Sequence, residues 1–425
     1  MTGKRGLTMQ HMATFLKTMS EEQLARRLAP DFGNLPKMER VSAKVSRERA
    51  RQRWAALTDF ATQAEILLEK ASDIEAYQGN IENFIGELRM PIGLAGPLRV
   101  NGLAAKGDYP LPLATTEAAL VASYHRGCHV INESGGCTTL LLSENVSRAP
   151  AFLFSTSANA ARFVIWVMAR FEELKQIAES TTAHGKLIDL GCILEGNHVY
   201  LNFEYITGDA SGQNMVTIAT QAACDWIMQE SPVPPQQCYV ESNLSGDKKA
   251  SAKSFTTVRG KKVTAEVRVS AEVLEKLLHV TAREMEEYWR VSAIGGVLSG
   301  TMGVHGHFAN GLAALYLATG QDVACVAESA TGVTRFEARD DGSLYAVVTL
   351  PGIMVGTVGG GTGLPTQRAC LELMGLHGSG QARALAEVCA GLLLAGELSI
   401  IAAMSAGHFA RAHHKLARSK KTNDS

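Results

Sequence analysis

Between residues 138 and 240 the chain follows an alternation that few topologies accommodate. Thr138 to Ser143 and Ala151 to Phe154 are strand-like, and Ser157 is placed to cap a helix running to about Ser180. Lys186 to Leu194 alternates as a strand, Glu195-Gly196-Asn197-His198 carries a two-residue hairpin signal, and Val199 to Ile206 returns. A helix from Asp209 to about Glu230 follows. Pro232-Val233-Pro234-Pro235 ends it, because proline lacks the amide donor and clashes with the preceding turn. Gln237 to Val240 closes the unit. The order β-α-β-β-α-β is that of a split, ferredoxin-like unit, here inserted into a larger domain.

The flanking sequence is built differently. Residues 1 to 19 read as a loosely ordered tail, and Ser20-Glu21-Glu22-Gln23 is a capping box whose helix stops before Pro30. Residues 42 to 78 form a charged amphipathic helix with Trp54, Leu57, Phe60, Ile66 and Leu67 on its buried side. The basic run Arg47 to Arg53 is its solvated face. Gly and Pro recur through 82 to 98, which predicts turns and short strands. The apolar run Leu111-Pro112-Leu113-Ala114 then reaches Thr115-Thr116, either of which can cap a helix with Ala119, Leu120 and Ser123 facing inward. Glu117 falls in the first turn of that helix. It is either a solvated partner of the helix dipole or a partly buried carboxyl usable as a general acid.

Further on, Arg259-Gly260-Lys261-Lys262 reads as a polar hinge or loop, with helix resuming at Ser270 to Arg290. The stretch 294 to 319, rich in Gly, Ala and His, suits a helix packed closely on its neighbours, and 322 to 350 is strand-rich. The glycine loop 356 to 363 matches neither common phosphate-binding pattern, and a tight turn is its simplest meaning. Helices follow at Thr366 to Leu376 and from about Gln381 to Arg418.

Composition narrows the function classes. With 46% apolar residues, 20% charged residues and a net charge of -1, nothing global points to nucleic acid or an acidic membrane. The eight cysteines contain no C-x-x-C pair, and the histidines lack zinc spacing, so no metal site is expected. The most apolar segment, 391 to 409, is broken by Glu397 and Ser399, and the N-terminus lacks a signal-peptide pattern. A soluble cytoplasmic protein is expected.

Several motifs gain meaning together. Glu82-Asn-Phe-Ile-Gly86, Pro91-Ile-Gly-Leu-Ala-Gly-Pro97, Ala114-Thr-Thr-Glu117, Asp247-Lys-Lys249, Gly320-Gln-Asp322, Thr357-Val-Gly-Gly-Gly-Thr362 and Ala395-Gly-Glu-Leu398 through Gly407-His408 stand in one order. In that order, over roughly residues 80 to 420, the chain resembles the 3-hydroxy-3-methylglutaryl-coenzyme A (HMG-CoA) reductases. The five-residue step from His408 to His413 is similar to the class I catalytic domain without its membrane anchor.

The resemblance implies an α+β fold with a helical N-terminal region (1–80) and a large substrate- and CoA-binding domain around a central helix (81–137 and 250–425). A small cofactor-binding domain (138–249) is inserted in it. The implied activity is reduction of a thioester to mevalonate with release of coenzyme A. NADPH is the implied cofactor, with NADH as the alternative, and a homodimer carries the active site at its interface. A non-catalytic acyl-CoA-binding paralogue is the alternative reading.

Glu117 is implied as proton donor, Lys248 as oxyanion cation, Asp322 as its carboxylate partner and His413 as the acid for the leaving thiolate. Glu82, Arg126, Arg148, Asn243, Lys249 and Asn310 are the implied substrate contacts. Asp209, Gly212 and Asn214 at a helix start, with His184, are the implied cofactor contacts. Glu241, two residues before Asn243, sets a carboxylate near an anionic substrate.

Overall fold

The computed structural model of this chain describes residues 20–23, 44–56, 68 and 73–406. Ser20 N donates to Gln23 Oε1 at 2.9 Å and Gln23 N to Ser20 Oγ at 3.2 Å, so the capping box forms. The rest of that helix, like the tail at 1–19, lies outside the described residues. Helix α1 (Arg47–Ala56) follows, but its basic run is more than a solvated face. Arg47 Nη1 donates to Leu68 O, Arg53 to Phe84 O and Asn83 Oδ1, and Trp54 Nε1 to Ile85 O at 2.8 Å. These contacts fasten the segment around Glu82 onto α1. The helix expected to reach residue 78 has ended before Asp73, whose φ of 46° is left-handed, and Ile74–Tyr77 is a 3-10 turn. Leu57, Phe60, Ile66 and Leu67 lie outside the described residues.

Strands β1 (Ile92–Gly102) and β2 (Lys106–Ala114) form an antiparallel hairpin, longer than the short strands expected. A register shift between Ala95 and Leu98 accommodates Pro97, which has no ladder donor. Helix α2 (Leu120–Glu133) starts later than predicted: Thr115 and Thr116 do not cap it, and Ala119 in a left-handed conformation is its N-cap. Glu117 therefore sits in the loop ahead of the helix.

Strand β3 (Cys137–Arg148) joins the two parts of the sheet. Thr138 to Asn145 pair with the strand Gly260–Val269, and Val146 to Arg148 pair with the strand His198–Ile206. After β4 (Ala151–Leu153), the single helix expected to Ser180 is two, α3 (Ser157–Met168) and α4 (Phe171–Ser180). Thr156, not Ser157, caps α3 by accepting from Asn159 N. Strands β5 (Lys186–Glu195) and β6 (His198–Ile206), helix α5 (Gln213–Glu230) and strand β7 (Gln237–Tyr239) complete the insertion. Its strands lie in the order β7-β4-β6-β5 with every neighbour antiparallel, as a split βαββαβ unit requires.

The predicted hinge at 259–262 is instead the start of β8 (Gly260–Val269), a central strand between β3 and β11. Its polar opening misled the reading: Lys261 is 5% exposed, with its ammonium 3.9 Å from Glu144 and 3.3 Å from Val355 O. Helix does resume at Ser270, which accepts from Val273 N and opens a short helix, Ala271–Val273. It continues as a π turn, Leu274–Leu278, until left-handed His279 ends it. Thr281 then forms a capping box with Glu284 and opens α6 (Ala282–Ser299), so the one helix predicted to Arg290 is two. The glycine-rich 294–319 stretch is not one helix. It breaks into the end of α6, β9 (Gly303–Val304), a loop holding His305 and His307, and α7 (Phe308–Thr319). Strands β10 (Gly332–Ala338) and β11 (Leu344–Ile353), then α8 (Pro365–Leu373), lead to α9 (Ala382–Ser405).

Helix α9 is the core. It packs on β1, β3, β8 and β11 and on α2, α6 and α7. By length and composition it could cross a membrane, yet 83% of its apolar window is buried within the protein. Close approach of α2 is set by Gly127: a Cβ there would lie 1.9 Å from Ala395 O. Glu387, fully buried in α9, accepts from Ala104 N (3.0 Å), Ala105 N (2.7 Å) and Leu141 N (3.2 Å). One carboxylate thus ties the β1–β2 turn and β3 to the central helix. Glu387→Ala strands three amide donors and is expected to cost about 3 kcal/mol or more. Urea denaturation measures it, and a loss below about 1 kcal/mol would remove this carboxylate from the fold's essential ties.

Candidate functional site

Lys248 and Asp322 meet at one cleft. Lys248 Nζ lies 2.7 Å from Asp322 Oδ2, with the two side chains 41% and 40% exposed. Solvent screening at that exposure makes the bridge an orienting contact worth under about 1 kcal/mol of stability. The hydrogen bond to Asp322 nevertheless holds the Lys248 ammonium above its ordinary value, outweighing partial burial.

The same cleft, about 470 Å³, is lined by Gly212, Asn214 and the glycine loop around Gly359 to Gly361. Helix α5 begins at Gln213 rather than at the predicted Asp209, its N-cap is Gly212, and no side chain caps it. Its first amides and the dipole of an 18-residue helix are left for an anion. A Cβ on Gly359 or Gly360 would touch nothing within 4 Å, so this loop presents open backbone to the cleft. The loop is more than the tight turn read from sequence. Gln321 fixes it to the end of α7, accepting from Gly356 N at 2.9 Å and donating to Gly356 O at 3.0 Å.

Asp209 is occupied elsewhere. Its carboxylate accepts from Gly380 N at 2.7 Å and Ala382 N at 3.1 Å, closing the start of α9. These contacts turn the Asp209 carboxylate towards the start of α9 rather than into the cleft that Gly212 and Asn214 line. Exposed His184 sits in the loop ahead of β5. A Cβ on neighbouring Gly185 would lie 2.9 Å from Met215 Sδ, so this loop flanks the start of α5.

Glu117 lies in a second cavity of about 340 Å³, with Arg126, Tyr124, His307 and Asn310 among its lining residues. Asn310 Nδ2 donates to Glu117 Oε1 at 3.2 Å, and Thr115 Oγ1 accepts from Glu117 N. Glu117 is exposed in this single chain, so the partly buried carboxyl is not what one chain by itself provides. Arg126 donates to Ser399 O at 2.7 Å and to Ser399 Oγ, and burial lowers its pKa.

The model of the hydroxymethylglutaryl-coenzyme A reductase family matches residues 48–418. The 3-hydroxy-3-methylglutaryl-coenzyme A reductase of Methanocaldococcus jannaschii is 43% identical over 348 residues, covering 81% of this chain and 86% of that protein. That of Methanothermobacter thermautotrophicus is 41% identical, covering 89% and 94%. The chain belongs to the HMG-CoA reductase family. The fold agrees: the reductase of Streptococcus pneumoniae superposes with a TM-score of 0.64 at 21% identity, covering 85% of this chain and 97% of that one. A class II reductase structure from the same organism, bound to NADPH in open conformations, gives 0.63 at 21% identity, covering the same shares.

Arg148 is an inward-facing ion pair. Its side chain is 7% exposed, and Nη1 contacts Glu241 Oε2 at 3.0 Å and Asp247 Oδ2 at 3.2 Å. Glu241 also accepts from Asn243 N at 2.7 Å and from Ser245 Oγ, so its charge is neutralised in place rather than turned on a substrate. Arg148 is thus already paired where a substrate carboxylate was expected to meet it. Lys249, exposed, donates to Asp247 O at 2.8 Å, and Asn243 is exposed with φ 64°. Glu82 is exposed on the segment held by α1. His413 and His408 lie outside the described residues. Among the described residues no cluster of three or more His, Cys, Asp or Glu could hold a metal.

Sequence reasoning gave no site role to Glu397, which it read as an interruption of an apolar segment and as part of the Ala395-Gly-Glu-Leu398 motif. Fully buried, Glu397 accepts from Gly306 N, His307 N and Thr334 Oγ1, and its Oε1 lies 3.3 Å from His307 Nδ1. His307 in turn stacks on Tyr124 at 5.5 Å. The signal was available, since a carboxylate inside an apolar helix needs donors. Burial pushes the Glu397 carboxyl up, but the hydrogen bond and charge of His307 and the two amides outweigh it and hold the pKa below the ordinary 4.5. A depressed acid contributes stability that is complete above the unfolded value and is lost as pH falls through the folded one. Glu397→Gln should therefore flatten the acid limb of stability against pH below about 4.5. Denaturation midpoints at stepped pH test this, and an acid limb as steep as the native one would refute it.

Proposed function

We propose that the chain reduces the thioester of HMG-CoA in two steps to mevalonate, consuming two NADPH and two protons and releasing coenzyme A. The observation that carries this reading is the Lys248–Asp322 pair at the mouth of a glycine-lined cleft. When bound, the reduced nicotinamide supplies hydride. Lys248, kept charged and aimed by Asp322, stabilises the oxyanion that forms at the reduced carbonyl. Glu117 protonates the reduced oxygen, and His413 protonates the departing thiolate, an imidazole of pKa about 6.5 serving a thiol of about 8.5. Asn214, Gly212 and the glycine loop fit the cofactor pyrophosphate, with His184 beside them. Residues 138–249 act as the cofactor unit, and residues 81–137 with 250–425 as the substrate unit. The substrate carboxylate falls to Lys249 and Asn243, which are exposed, while Arg148 backs them from inside.

The two halves of this machinery do not meet in one chain. Asn310 and Glu117 stand at the start of α7, and Asp322 and Lys248 at its end. Asn310 to Thr319 covers about 14 Å of helix axis at roughly 1.5 Å per residue. A proton donor that far from the oxyanion cation cannot serve the same carbonyl, because reacting groups must be within about 3 Å. The reading is therefore a homodimer in which Glu117 of one protomer completes the site at Lys248 of its partner. The face of α6 with Val291, Ile294, Val297 and Leu298 exposed at 63–83% offers the apolar surface such a dimer covers. The cytoplasm is the compartment proposed.

Lys248→Ala should fold and bind HMG-CoA but lose at least ~100-fold in NADPH oxidation. Near-normal turnover would remove Lys248 from the mechanism. Mixing tests the shared site. Glu117→Gln and Lys248→Ala chains, each nearly inactive, should regain about a quarter of native activity after subunit exchange, since half the dimers are mixed and each restores one of two sites. Activity that stays at the level of the separate variants, with exchange verified, would place the site in one chain.

A further inference from the structure

Lys248 is held in an unusual backbone conformation, with φ 55°. For a residue with a Cβ the left-handed region costs about 1–2 kcal/mol, and it persists only where the surroundings fix it. Here the surroundings are a buried charge relay. Glu328 and Arg259 form an ion pair, each side chain 5% exposed. Arg259 Nη2 also reaches Asp247 Oδ1 at 2.8 Å, and Lys248 N donates to Glu328 Oε1 at 3.2 Å. The residue before Lys248 and the amide of Lys248 itself are thus both held by one pair. Glu328 lies in the short helix Val326–Ser329, directly after the Val323–Cys325 turn that Asp322 caps through Ala324 N. One segment therefore grips Lys248 twice, by its backbone through Glu328 and by its ammonium through Asp322.

We infer that Glu328 and Arg259 are positioning residues for the reduction, setting the backbone of Lys248 so that its ammonium lies where the oxyanion forms. This rests on the reading of Lys248 as the oxyanion cation. Neither residue lines the Lys248–Asp322 cleft, and the recess they share with Lys249 is only about 10 Å³, too small for substrate or cofactor, so both act from behind the site. A displacement of about 1 Å at the reacting centre can cost on the order of 100-fold in rate. The pair is therefore expected to act on turnover rather than on binding.

The test is a double-mutant cycle with Glu328→Gln and Lys248→Ala. An amide offers one acceptor oxygen where the carboxylate has two, so either Arg259 or Lys248 N is left facing an NH₂ group. Glu328→Gln alone should lower kcat roughly 10- to 100-fold, with KM for HMG-CoA and NADPH within about 2-fold. In the Lys248→Ala background the same change should cost nothing further, because the group it positions is gone. An equal fractional loss in both backgrounds, or kcat within about 3-fold of native in the single variant, would overturn the inference. Lys248→Ala with near-native turnover would instead overturn the catalytic reading beneath it. Should Glu328→Gln fail to fold, Arg259→Met with Glu328→Met carries the same cycle, since a buried ion pair replaced by apolar side chains of similar volume generally preserves stability.

Discussion

Two carboxylates inside an apolar helix set the terms for the rest of the molecule. Glu387 and Glu397 are both fully buried in α9, where an unpaired charge would cost several kcal/mol. Each must be surrounded by donors, and most of those donors are backbone amides from distant parts of the chain. Glu387 gathers the β1–β2 turn and β3, and Glu397 gathers the 305–307 loop and β10. Apolar burial would hold α9 in the core but would tolerate rotation or sliding. Fixed donors do not. The helix thereby becomes the frame of reference for α7, whose two ends carry the two half-sites.

That rigidity is why the proposed reading divides a reaction needing several groups at one carbonyl between chains. Helix α7 fixes Asn310 and Asp322 at opposite ends, and no side-chain motion closes a separation set by helix rise. In the proposed dimer a second chain would solve the problem without breaking the frame. It would also cover Glu117, which is exposed in the single chain, and so remove water from its carboxyl.

What could be read from the sequence was whatever is decided locally. The split βαββαβ unit was legible because its alternation, hairpin turn and prolines act within a few residues of one another. The start of α2 was not, because its cap is a backbone conformation at Ala119 rather than the hydroxyl of Thr115 or Thr116. The polar opening of β8 looked like a loop because the partners of Lys261, Glu144 and Val355, are distant in sequence. Among the site residues, Lys248 and Asp322 came from motif order, and their 2.7 Å contact depends on folding across 73 intervening positions. The contacts of Asp209 were not legible for the same reason: its amide partners at Gly380 and Ala382 are visible only in three dimensions. Arg259 and Glu328 carried no local signal, being ordinary residues until paired.

The charge arrangement around Lys248 follows from the same separation of buried and exposed groups. Glu241, Arg148, Asp247, Arg259 and Glu328 form an alternating chain of carboxylates and guanidiniums in which each guanidinium is bound by two carboxylates. Three carboxylates against two guanidiniums leave one negative charge in this network, so the network does not itself attract an arriving anion. Lys248 and Lys249, in contrast, are exposed and adjacent. In the proposed reading an anionic substrate is drawn to these two lysines while the arginines hold the loop that presents them. Arginine suits the buried task, because its planar fork bridges two carboxylates at once. Lysine suits the exposed one, because a compact ammonium can follow charge as it develops on an oxygen.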